Sequence, residues 1–241
     1  MVALSLLWAC GGPAPDADKG DSDSDPTGFT TTDTAPRDCE IPADGEWRLL
    51  ADSVGSGVLF SAWGPTDDEV LMVGGEPGGA GGIVAHYTPG EICVEAEVLD
   101  SALWWIHGAT PQEWYAVGAS GTILHDRQGT RTREDLATDI TLYGVWDTGN
   151  DLVWAVGGDP FAPSSGEIWK RKGGAWTLVE GSIDGVPYKV WEGWIVGDKV
   201  GYRIDGEALT AVVQPDRLLT VRGRSEDEVY AVGGVGNALM R

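Results

Sequence analysis

Residues able to do acid–base, nucleophilic or metal chemistry are few and scattered along this 241-residue chain. The three histidines, His86, His107 and His125, and the three cysteines, Cys10, Cys39 and Cys93, share no zinc-ligand spacing. Adjacent carboxylates occur at Asp67-Asp68-Glu69 and Glu226-Asp227-Glu228. Both clusters fall between two strand-like segments, so they read as solvated turn residues and not as a general acid and base. Asp21, Asp23 and Asp25 alternate as calcium ligands do. A calcium loop would need Gly at its sixth position and Glu at its twelfth, where Pro26 and Thr32 stand. Neither a nucleophile elbow nor a phosphate-binding glycine loop is present. The expectation is a chain with no catalytic set, no metal and no cofactor. What remains is aromatic. Trp63, Trp105, Trp146 and Trp191, together with His107, are the candidate ligand-binding residues, because an indole face stacks on a sugar or on an aromatic side chain. The competing role for the same rings is core packing.

The elements that must hold these rings are visible as an internal repeat. A short motif ending in Val-Gly recurs as EVLMVGG at 69–75, EWYAVGA at 113–119, LVWAVGG at 152–158, WIVGD at 194–198 and EVYAVGG at 228–234. Its valines, Val73, Val117, Val156, Val196 and Val232, lie roughly 40 residues apart, the size of one β-propeller blade. Upstream of each lies LFSAWG, LWWIHG, LYGVWD, PYKVWE or LLTVRG, and downstream a third segment such as TILH or EIWK. A fourth, such as AWTLVEG at 175–181, completes the unit. Each segment is short, aromatic or β-branched, and bounded by Gly, Pro, Asp or Asn, which predicts antiparallel strands joined by hairpins. Two residues before the valines stand Leu71, Tyr115, Trp154, Trp194 and Tyr230. One residue before them stand Met72, Ala116, Ala155, Ile195 and Ala231. Alternate residues face opposite sides of a strand, so each blade has a bulky face to set against the shallower face of the next.

The fold expected is therefore all-β, a propeller of five blades with four antiparallel strands each, over residues 39–241. The last repeat ends after its third strand, and EWRLLAD at 46–52 matches the fourth-strand pattern. That segment is expected to complete the last blade and close the ring, which removes exposed sheet edges. A chain lacking further blades is the alternative. If the ring closes, Cys39 and Cys93 fall on outer strands of neighbouring blades and are expected to form a disulfide closing a loop of about 55 residues. Two separate thiols are the other possibility.

Met1 to Cys10 reads MVALSLLWAC, an apolar run and a small residue before a cysteine, which resembles the end of a bacterial lipoprotein signal. That resemblance implies lipid attachment at Cys10 and residues 1–10 as signal and anchor. Residues 11–38 hold seven Asp against one Lys and one Arg and almost no aliphatics, so they are expected to form a solvated linker. The VWAVG and GTILH style of repeat resembles myxobacterial-type surface lipoproteins with BNR- or Kelch-like propeller repeats, over roughly 46–241. The Ser-x-Asp-x-Gly-x-x-Trp box of BNR sialidases is absent, so glycosidase activity does not carry over with the resemblance. A net charge of −22 argues against nucleic acid, and no apolar run reaches the ~20 residues of a spanning helix. The function expected is a monomeric, non-catalytic binding or scaffold module, lipid-anchored at the bacterial cell envelope, outer membrane or cell surface, with a protein or glycan partner. A secreted glycan-acting hydrolase or lyase is the alternative.

Overall fold

The structure, a computed structural model, describes Leu49, Ala51 and residues 57–76, 81–95, 99–162, 164–214, 217–225, 228–234 and 238–240. Five antiparallel sheets follow one another along the chain, each with its strands in sequence order. The first holds β1 (Val58–Thr66), β2 (Glu69–Gly75), β3 (Gly82–Thr88) and β4 (Glu91–Val94). The second holds β5 (Leu103–Thr110), β6 (Glu113–Gly118), β7 (Ile123–Arg127) and β8 (Thr130–Arg133). The third holds β9 (Thr141–Asp147), β10 (Leu152–Gly158), β11 (Gly166–Lys172) and β12 (Ala175–Ile183). The fourth holds β13 (Pro187–Trp191), β14 (Trp194–Gly197), β15 (Gly201–Asp205) and β16 (Ala208–Val212). The fifth shows three strands, β17 (Leu218–Ser225), β18 (Glu228–Gly233) and β19 (Ala238–Met240). First strands pack on first strands from β1 through β5, β9 and β13 to β17. They form the inner edge of a β-propeller.

Blades stack as the alternation of large and small side chains requires. Leu71 and Val73 of the first sheet meet Ile106, Trp114 and Ala116 of the second. Tyr115 and Val117 then meet Val145, Val153 and Ala155, and Trp154 and Val156 meet Val190 and Ile195. Val196 meets Val221, Val229 and Ala231. The same register thus builds an apolar cluster at each of four interfaces. Between blades, an indole lies over the glycine that follows the inner strand's fifth motif residue. A Cβ on Gly108 would stand 2.7 Å from Trp63, and one on Gly223 would stand 2.7 Å from Trp191.

The two ends of the row differ from its middle. Tyr230 and Val232 occupy the positions that are buried as Tyr115 and Val117, yet they are 43% and 44% exposed. Among the described residues β17 makes no packing against β1 comparable with that of β1 on β5. The closing strand expected at 46–52 lies outside the described residues apart from Leu49 and Ala51, and Leu49 is exposed. Cys10 and Cys39, the lipid anchor and linker expected at 1–38 and the aspartate run at 21–25 also lie outside them.

Each inner strand carries a β-bulge at one repeat position. The register skips Phe60 between Leu59 and Ser61, Trp104 between Leu103 and Trp105, and Tyr143 between Leu142 and Gly144. It skips Tyr188 and Leu219 in the same way. A bulge leaves one residue unpaired and re-aims its side chain. Its other consequence falls on the glycine of the Val-Gly motif, at Gly74, Gly118, Gly157, Gly197 and Gly233. A Cβ at these glycines would overlap the carbonyl oxygen of Val58, Ala102, Thr141, Val186 and Arg217 respectively. Gly118→Ala is therefore expected to destabilise the chain by about 2–3 kcal/mol, since backbone must move to admit one methyl group. Gly64→Ala, where the nearest atom would be 3.5 Å away, is expected to change stability by less than about 0.5 kcal/mol. Urea denaturation of the two variants checks this.

Candidate functional site

The residues skipped by the bulges form a row along the inner edge. Phe60 and Trp104 stack with centroids 4.6 Å apart and planes 8° from parallel. Trp104 meets Tyr143 edge-on at 5.4 Å, and Tyr143 meets Tyr188 at 5.6 Å. Four blades thus offer adjoining rings at the same level of the fold, where each inner strand begins. Phe60 is 39% exposed and Trp104 36%, while Tyr143 and Tyr188 are half-buried. Burial pushes both phenols above their ordinary range, so they stay neutral hydroxyls able to donate a hydrogen bond. A row of this kind offers flat π faces to a ligand laid across the blades.

The five residues expected as the site divide differently. His107 stacks on Trp146 at 3.9 Å, Trp63 packs beside His107, and Trp146 meets Trp191 edge-on at 5.9 Å. These four form a second, inner row threaded between blades, with His107 and Trp191 buried. Burial, helped by the Arg222 charge, lowers His107 to about 3, so its ring is neutral at ordinary pH. Its Nδ1 accepts a hydrogen bond from the Asp147 amide at 3.1 Å. Asp147 in turn accepts from the amides of Ala109 and Gly149. His107 therefore pins two blades together and is not poised as a base. His107 and Trp146 also line a groove of about 970 Å³ at the other end of the fold, with Asp147, Lys172, Arg203 and Glu207.

Trp105 stands apart from that row. Lys189 Nζ lies 3.6 Å from its ring centroid and the Arg222 guanidinium 5.1 Å from it. Burial first, and the Arg222 charge second, lower Lys189 to about 7. The bulged aromatic row and these two cations were not legible as a site. The row occupies the second residue of each inner-strand motif, and only the bulge tells it apart from its neighbours.

The other histidines tie strands together. His86 Nε2 lies 2.8 Å from Glu69, and His125 Nε2 lies 2.9 Å from Glu113 at the equivalent place. His125 Nδ1 also bonds Glu134, which takes further hydrogen bonds from Arg171 and Trp176. Burial opposes the Glu134 charge, but hydrogen bonds from Arg171, His125 and Trp176 outweigh it and hold the carboxyl low. Cys93 lies on β4 opposite His86. Among the described residues no His, Cys, Asp and Glu group is arranged to hold a metal, and no helix is long and apolar enough to cross a membrane.

No protein-family model matches the chain, and no curated protein does. Solved structures do. YCF48 bound to D1 peptide is similar with a TM-score of 0.52 at 15% identity, over 80% of this chain and 65% of that one. A protein of unknown function from Bacteroides thetaiotaomicron VPI-5482 is similar with a TM-score of 0.48 at 12% identity, over 73% of this chain and 52% of that one. The chain thus spans less than two thirds of the length of either. At such identity the likeness to YCF48 concerns the fold alone.

The lowered Lys189 dictates a pH dependence. Between about 7 and 10.5 the unfolded chain holds a proton that the folded chain has released, so stability rises with pH across that window. Lys189→Met is expected to remove this rise, on the order of 3 kcal/mol between pH 7 and 10. Denaturant midpoints of wild type and variant at stepped pH values measure the difference.

Proposed function

We propose that the chain is an interaction module that binds a peptide segment of a partner protein across its inner-edge aromatic row. The observation that carries this reading is the repetition of one bulged, partly exposed aromatic position in four successive blades. Such rings supply rigid contact area at low entropic cost, which is how aromatic residues come to dominate binding surfaces. The propeller similar to this chain was solved with a peptide bound, which supports a peptide over other ligands. The reading includes no catalytic step, because the His107 expected at the site is consumed in packing and its ring is neutral. Selection of binders from a displayed peptide library is expected to yield sequences whose affinity falls at least tenfold in Trp104→Ala, with the melting temperature unchanged. Equal affinity of wild type and variant, or binding of oligosaccharides alone, overturns this.

The rest of the reading concerns where the module works. Cys10 carries a lipid that holds the chain at the cell envelope, residues 11–38 form the tether, and the propeller stands off the membrane as a monomer. Cys39 pairs with Cys93, whose strand is the outermost of the first sheet and so is reachable from the segment that precedes the propeller. Cys10→Ser is expected to move the protein from the membrane to the soluble fraction without changing its melting temperature. Retention of the variant on membranes in high salt would place the anchor elsewhere.

A further inference from the structure

On a chain of net charge −22, the middle of the inner edge is a place where acid is missing. Most other cations among the described residues sit beside carboxylates, as Arg131 does with Glu95, Arg133 with Asp100 and Asp135, Arg171 with Glu134, and Lys170 and Lys172 with Glu207. Lys189 and Arg222 have no such partner among the described residues. They come from two different sheets and converge on Trp105 of a third. The Lys189 side chain reaches that indole across Gly144, where a Cβ would stand 3.1 Å from the Lys189 Cα and 3.0 Å from the Tyr188 carbonyl oxygen. Its ammonium also donates to the Tyr143 carbonyl. The indole face offsets part of the cost of gathering two positive charges, but it adds no negative charge. Burial first, and the Arg222 charge second, work against protonated Lys189. Partial loss of hydration works against Arg222 although its side chain still reaches solvent, and no charge of the described residues offsets either. An anion supplied from outside would.

We infer that Lys189, Arg222 and Trp105 form an anion site on the inner edge, and that the group it takes is a carboxylate of the bound peptide. The inference rests on the peptide-binding reading. Trp105 and Lys189 directly follow Trp104 and Tyr188 in their strands, so a segment laid on the aromatic row delivers its carboxylate to the two cations. A planar carboxylate matches the fork of a guanidinium, and the ammonium that the indole face holds in place supplies the second positive group. The remaining surface is acidic and repels polyanions, so a nucleic acid phosphate does not reach the site. The carboxylate comes from an Asp or Glu side chain or from a chain terminus.

Benzoate, with benzamide as its neutral counterpart, tests the site without any peptide. In the full chain, benzoate is expected to shift the Trp105 indole N–H resonance and to bind at least fivefold more tightly than benzamide. Lys189→Met and Arg222→Met are each expected to abolish that preference, and Lys189→Arg to keep it. Arg222 is solvent-exposed, so its variant reports on binding whether or not Lys189→Met folds. Equal affinity for benzoate and benzamide in the wild-type chain overturns the site, as does a preference that survives Arg222→Met. Inorganic phosphate binding as tightly as benzoate overturns the choice of carboxylate. Selected peptides made with a free terminus, with an amidated terminus and one internal Glu, and amidated without any acid then separate the two sources. Benzoate preference with no peptide bound leaves the anion site standing and removes the peptide reading.

Discussion

The bulge in each inner strand is the constraint from which the rest follows. An extra residue in the first strand brings a carbonyl oxygen into the space that a side chain would occupy on the second, and only glycine leaves that space empty. The Val-Gly signature is thus a steric requirement repeated five times, at Gly74, Gly118, Gly157, Gly197 and Gly233. The same bulge takes Phe60, Trp104, Tyr143 and Tyr188 out of the strand pairing. One local distortion therefore accounts for both the repeat motif and the surface proposed to bind.

Around that constraint the blades divide their aromatic residues by depth. Rings at the fifth motif position, Trp63, His107, Trp146 and Trp191, pack into one another between blades. Rings at the second position meet solvent. A protein that needs a rigid platform gains from this division, because the buried row fixes the spacing at which the exposed row is presented. The polar network of His125, Glu113, Glu134, Arg171 and Trp176 serves the same end farther out, joining the second and third sheets. Its carboxylates and cations offset one another, which is why Lys189 and Arg222, without a carboxylate partner among the described residues, stand out in a chain so rich in acid.

Charge and shape also bear on the ends of the row. Tyr230 and Val232 are chemically the same as the residues buried in the second blade, and their exposure reflects position and not composition. Repeat proteins bury each unit against its neighbour, so equivalent residues differ in exposure from the second sheet to the fifth.

Much of the architecture was legible from residue order. Spacing of the Val-Gly motif separates the blades, and alternation of Tyr115 with Ala116 or Trp154 with Ala155 decides which face meets which, because a strand has a period of two. That information is local and survives in a linear sequence. The candidate site was legible only in part. Trp63, Trp146 and Trp191 share a repeat position, but whether an indole lines a surface or fills a core depends on the distance to the next blade. His107 reads as a titratable group in sequence, and becomes a neutral packing residue once burial and Arg222 surround it. Phe60, Trp104, Tyr143 and Tyr188 were hidden for a similar reason: an aromatic in a strand has no preferred side until a bulge changes the register. The meeting of Lys189, Arg222 and Trp105 brings Trp105 to two cations more than 80 positions from it, and no periodicity within one blade encodes it. By itself the sequence determined the strands, their order and their stacking. The direction of each aromatic and the gathering of the cations were decided by the tertiary structure, because both depend on backbone geometry and on neighbours supplied by other blades.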